Sequence, residues 1–346
     1  MKEKINIYLN KVFESYEMND EVADIKNDLL LDLEQRYDDL IISGKDSENA
    51  YSICIESIGN LDELLSSVTN KKVENKLVLD FSGRCLDNSD LSNISAEGSS
   101  FSGSTISNSN FENSDLSNTK FNGSMLNETN FENCDLANTT FNGSAISHSN
   151  FTNANVINCK FKGSLLDNSN FTKANLSGSL IKASSLSNSN FTNSNLSNCN
   201  FGKNCLANCI FESTSINDTT LSMNDLTDSI FNEVVLNNVD LKMTDLRKVN
   251  FNKCIFNGVD FSKSDLRNLK FDGMEFRNVK FDKALLSGST FNNATLRNVS
   301  FLSGFVLSKK YYRAVEKIKF EGANMDKATY NSLKGIGVNL DNVNVI

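Results

Sequence analysis

The chain has 346 residues, a formal net charge of -9 and a sequence pI near 4.9, and 39% of its residues are hydrophobic. That length accommodates two or three domains. With one histidine, no proline and no tryptophan, it holds no Ser-His-Asp unit with a neighbouring acid and no multi-histidine metal set.

Residues 1–69 read as helices. Ile5, Leu9, Val12 and Phe13 recur at helical spacing, as do Val22, Ile25, Leu29, Leu33, Tyr37 and Leu40. Gly44 ends the second run as a C-terminal cap. A third run, Ser47 to Ile58, starts on a Ser or Asp cap, and Leu61 to Val68 forms a short last helix. The Leu-rich second helix, the run Gly44-Lys45-Asp46-Ser47-Glu48-Asn49-Ala50 and Ile58-Gly59-Asn60-Leu61 resemble a small helical module of bacterial anti-sigma-like and permease-associated proteins. The resemblance implies a protein-binding domain. The plainer alternative is a bundle that only caps the repeat beginning at Phe81.

Residues 70–80 bridge to a stretch with one rule. From Phe81 to Val306 a bulky apolar residue recurs every five positions, with Ala96 as the one small exception, and 21 of the 24 phenylalanines lie on this grid. Two residues before each stands a small residue, such as Ser114, Thr119, Cys134 and Thr139. A period of five fits neither helix nor plain strand. Gly83, Gly103, Gly123, Gly143 and Gly163 add a twenty-residue step, as does the column from Asn110 to Asn190. Glycine at a fixed corner fits a turn that needs positive φ, and stacked Asn can form amide ladders.

Units such as Cys134-Asp135-Leu136-Ala137-Asn138 and Ser264-Asp265-Leu266-Arg267-Asn268 resemble the pentapeptide-repeat family. The resemblance implies a mainly β fold, a right-handed quadrilateral β-helix over residues 70–306. With paired-strand spacing, roughly 11.5 coils would make a rod of roughly 55 Å. It also implies a rival function, because some members imitate duplex DNA and modulate type II topoisomerases in quinolone resistance. From about Val234 the small site enlarges to Val, Leu269 and Met274, and Phe256 and Phe276 replace the usual Leu, so the interior must change shape or widen. Residues 307–346 read as a helix-containing cap, with a helix over Tyr311–Ile318, a shifted return to the repeat at Phe320 and Ala323-Asn324-Met325, and a second helix from Asp326 through Leu333.

Charge is uneven: residues 1–80 carry -9, 81–240 carry -8, 241–320 carry +9 and 321–346 carry -1. The basic zone offers Arg247, Lys263, Arg267, Lys270, Arg277, Lys280 and Lys283 as an anionic-partner site, against the alternative of a solvated surface with local pairs. Asp225, Asp245 and Asp265 stack at the coil interval, as the repeat itself encodes. Cys205 and Cys209 lack the companions of a metal set, and five cysteines take the small inward site. Free thiols, with no leader and no long apolar span, indicate a cytoplasmic protein. No phosphate loop, dinucleotide fingerprint or EF-hand occurs. The expectation is a non-enzymatic interaction scaffold without cofactor, metal or small-molecule substrate. Its partner is a protein rather than nucleic acid, and a homodimer stays open.

Overall fold

A computed structural model describes residues 2–13, 16, 19–58, 65, 78–301, 315 and 317–346. The chain divides into two compact units, Met1–Leu77 and Val78–Ile346.

In the first unit, helices α1 (Lys2–Phe13), α2 (Asp20–Ile42) and α3 (Ser47–Glu56) follow the apolar periodicity. Ile5, Leu9, Phe13, Val22, Leu33 and Cys54 are buried together. Asn19 caps α2 by accepting from the Val22 N–H, and Asp46 caps α3 by accepting from Asn49. Gly44, at φ +90°, closes α2: its N–H reaches the Ile41 carbonyl while the Lys45 N–H reaches that of Leu40. This Schellman pair is what the sequence predicts for the glycine. Of the helix expected over Leu61–Val68 only Leu65, which is buried, lies within the described residues.

The second unit is a parallel β-solenoid. Asp80 pairs with Ser100, Cys85 with Thr105, Asp90 with Asn110 and Ser95 with Asp115, all in parallel and all twenty residues apart. These columns define four sides, named here by their central residues: side A from Phe81 and Phe101, side B from Leu86 and Ile106, side C from Leu91 and Phe111, side D from Ala96 and Leu116. Within each unit the central residue and the one two before it point inward, and the residues flanking the centre point outward.

At each corner the residue two after the centre has positive φ, between 50° and 74° from Gly83 to Gly273. Where the following N–H returns to the central carbonyl, as Ser104 does to Phe101, the geometry is that of a type II turn. The sequence points to glycine there, but Asn is the more frequent occupant, since its short amide tolerates the left-handed region.

The small inward residues are a hydrogen-bonding system. The Ser124, Thr139, Ser149 and Ser229 hydroxyls donate to the carbonyls of Phe101, Leu116, Leu126 and Leu206 one coil back. Several of these hydroxyls also accept an N–H of the preceding coil, as Ser149 does from Thr129. Cysteine takes the same role. The thiols of Cys134, Cys159, Cys199 and Cys209 donate to Phe111, Leu136, Leu176 and Leu186. They therefore do more than fill space as small apolar groups. Asn204 and Asn224 are the large exceptions. Asn204 donates to the Ile181 carbonyl, and the Asn224 amide oxygen accepts the Asn204 N–H, so both buried amides are bonded.

Aromatic rings fill the interior. Phe101, Phe121, Phe141 and Phe161 stack on side A at 4.8–5.1 Å, and side C runs a second stack from Phe111 to Phe231. The two stacks meet edge to face, as Phe141 and Phe151 do at 85°. The bulkier residues of the back half are accommodated by a change in ring packing. Phe256 and Phe276 stack on side D, and the side C rings tilt to meet them, Phe231 to Phe251 by 35°. Phe256 and Phe276 remain fully buried.

At the end of the solenoid the frame shifts. Thr290 pairs with Lys319 and Thr295 with Asn324, so Phe320 stacks on Phe291 at 5.4 Å. Asp326 caps helix α4 (Lys327–Gly335) by accepting from Thr329, and Leu333 is buried. Asn344–Val345 then pairs with Asn324–Met325. The helix expected over Tyr311–Ile318, and Val306, where the grid ends, fall largely outside the described residues.

Candidate functional site

The seven basic residues that the sequence groups together are spread over all four sides. Arg247 and Arg267 stand one coil apart on side B, Lys263, Lys280 and Lys283 on side A, Lys270 on side C and Arg277 on side D. Side B brings two together in a shallow depression of about 440 Å³ lined by Thr227, Asp228, Arg247, Lys248, Arg267 and Asn268.

Its cations are partnered. The Arg247 Nε and Nη2 donate to Asp245 at 2.9 and 2.6 Å, and Arg267 holds Asp265 through Nε at 2.8 Å. Lys248 reaches Asp228 at 3.6 Å. Elsewhere Lys253 pairs with Glu233, and Arg277 donates to Glu275. Lys242 lies between Asp240 and Asp260. The local pairs expected for a solvated surface therefore form at these residues, while Lys263, Lys270, Lys280 and Lys283 enter no ion pair among the described residues.

The stacked aspartates acquire a structural explanation. The Arg247 guanidinium, through its side-chain hydrogen bonds, holds the Asp245 carboxyl below the ordinary Asp range. A carboxylate kept ionised by its own arginine cannot share a proton with its neighbour in the column. A folded pKa below the unfolded value of about 3.9 gives stability that is full above that value and lost as pH falls through the folded one. The melting-temperature difference between wild type and Asp245→Asn is thus expected to shrink as pH falls from 7 to below about 4. An equal difference at both pH values would remove this role from the pair.

The cysteines divide by direction. Cys209 points inward and is buried, whereas Cys205 points outward, with its Sγ 3.0 Å from the Ser187 hydroxyl. The two do not face each other. Burial pushes the Cys134, Cys199 and Cys209 thiols up to about 12. Alkylation of the native protein should therefore modify exposed Cys85 first and half-buried Cys205 next, with the inward thiols reacting only on unfolding. Rapid native labelling of Cys134 or Cys199, read by mass spectrometry, would contradict their placement.

Two features escaped the sequence. On α2, Asp24, Asp28 and Asp32 are exposed and spaced four residues apart, so they share one face. On side A, Lys160, Lys162, Lys182 and Lys203 gather within three adjacent coils. Counting positions modulo twenty would have found the second.

A family model described as pentapeptide repeat region matches residues 79–151 and 204–281, and one of pentapeptide repeats in eight copies matches 149–182. The chain belongs to the pentapeptide-repeat family. Several solved pentapeptide-repeat structures are similar to parts of the chain. HetL, involved in heterocyst differentiation regulation in the cyanobacterium Nostoc sp. strain PCC 7120, is 18% identical over 65% of this chain and 92% of its own, with a TM-score of 0.30. QnrB1, a plasmid-mediated fluoroquinolone resistance protein, is 17% identical over 60% of this chain and 89% of its own, with a TM-score of 0.38. A pentapeptide-repeat protein of the Arabidopsis thaliana thylakoid lumen is 19% identical over 33% and 69%, with a TM-score of 0.15. No curated protein matches the chain. Among the described residues no helix is long and apolar enough to cross a membrane.

Proposed function

We propose that this pentapeptide-repeat protein is a non-enzymatic interaction scaffold that binds a protein partner through its helical unit and one or more solenoid sides. We assign residues 1–69 to the helical partner-binding module, 70–306 to the repeat and 307–346 to the cap, and the free thiols to a cytoplasmic setting. The observation that carries the reading is the stripe Asp24, Asp28, Asp32 on α2. Like charges at this spacing destabilise a helix, and no ion pair relieves them among the described residues. Opposite charge on a partner would. The likeness of residues 1–69 to anti-sigma-like modules has no support from the family matches, which begin at residue 79, so the reading rests on the stripe. Of the seven basic residues, Lys263, Lys280 and Lys283 share side A and are the set proposed for solenoid contact; the two arginines of side B are bound by their own aspartates.

The rival reading, a DNA-mimicking modulator of type II topoisomerase, requires negative charge along the rod, since duplex DNA carries one charge per roughly 1.7 Å. Residues 81–320 sum to +1. A gyrase supercoiling assay with the full chain, run beside a pulldown, separates the two. The scaffold reading expects unchanged supercoiling and a captured protein that is lost with Asp24→Asn/Asp28→Asn/Asp32→Asn. Stoichiometric gyrase inhibition, equal in wild type and variant, would establish the rival.

A further inference from the structure

Lys160, Lys162, Lys182 and Lys203 point outward from side A and are exposed. No Asp or Glu occupies an outward position of this side between Asp80 and Asp240. The four lysines enter no ion pair among the described residues. Lys162 and Lys182 lie directly opposite each other in paired strands, where like charges cost stability. In the basic zone further on, by contrast, Lys242, Arg247, Lys248, Lys253, Arg267 and Arg277 each have a carboxylate beside them.

The patch has a built centre. A depression of about 270 Å³ opens between Lys182, Asn200, Gly202, Lys203 and Ser222. Gly202 has no positive φ, so its missing side chain serves space rather than a turn. A Cβ there would come within 3.4 Å of the Asn200 Oδ1. That oxygen is buried and accepts no hydrogen bond from the protein.

We propose that this patch binds an acidic segment of a partner protein, extended across side A. The inference rests on the scaffold reading and gives its partner a chemistry. Lys160 and Lys162 stand at alternate positions of a strand, roughly 6.6 Å apart, the spacing of carboxylates at alternate positions of an extended segment. Nucleic acid fits less well, because the phenylalanines of the described coils turn inward and offer it no ring for base stacking.

The test uses the full-length protein, a fluorescent peptide of alternating Glu and Ser, and a single-stranded oligonucleotide of equal charge. Lys160→Gln/Lys162→Gln/Lys182→Gln is compared with Lys248→Gln/Lys253→Gln/Lys270→Gln, which removes as much charge from other sides. Wild type and the second variant should bind the peptide, and the side A variant should bind it roughly tenfold more weakly. Equal weakening in both variants, no peptide binding, or tighter binding of the oligonucleotide would overturn the proposal. If the peptide does not bind but the partner that depends on the α2 aspartates is still captured, the lysine patch fails and the scaffold stands.

Discussion

Replacing Phe151 with Asp is expected to unfold the coils around it rather than only weaken them. Phe151 is fully buried, stacked between Phe131 at 4.9 Å and Phe171 at 4.7 Å and edge-on to Phe141 and Phe161. Removing a core phenylalanine costs about 3–5 kcal/mol, and an unpaired carboxylate in the same place adds a further penalty. Each coil rests only on its neighbours, so the loss spreads along the stack. Denaturant melts should show a loss above about 5 kcal/mol, or a separate early transition for the central coils. A single transition close to that of wild type would place Phe151 outside the core.

Deleting residues 308–346 should give a chain that self-associates. Phe320 covers Phe291 and meets Phe301 edge-on, and Met325 and Leu333 are buried over the last described coils. Their removal bares apolar rings together with the unpaired strand edge, a template for edge-to-edge pairing. Light scattering of the truncated chain should rise with concentration. A monomeric truncated protein with unchanged melting would show that these residues are not a cap.

How far each feature is legible in the sequence depends on how strongly it constrains residue type. The inward centres are legible because burial admits little besides Phe, Leu and Ile, and the five-residue grid repeats that restriction. Gly44 and Asp46 announce their caps because few residues do their work. The corners are legible only in part. Gly83 and Gly103 reveal a need for positive φ, whereas Asn108 and Asn113 meet the same need with a residue equally common on the outward columns. The hydroxyl ladder is hidden because Ser, Thr and Cys also fit a merely small site, and only the carbonyl one coil back shows why a donor is useful.

The Asn column is less regular than its spacing suggests. Asn130 and Asn150 each donate one coil back, but the Asn170 amide turns to the Thr152 hydroxyl instead. Charge is the least legible property. A twenty-residue coil deals consecutive residues to four sides, so the contiguous basic zone disperses while Lys160, Lys162, Lys182 and Lys203, interrupted by Asp167 and Lys173 on other sides, converge.

That dealing of residues to sides is tested by two deletions together. Removing residues 131–150 takes out one whole coil and leaves every later residue on its side. Removing 171–175 takes out one unit, so that Lys182 and Lys203 move to a different side from Lys160 and Lys162. Both variants should melt cooperatively, and affinity for the Glu-Ser peptide is the deciding measurement. Binding is expected to be retained without 131–150 and weakened several-fold without 171–175. Equal binding by the two, or unfolding of the whole-coil deletion alone, would contradict it.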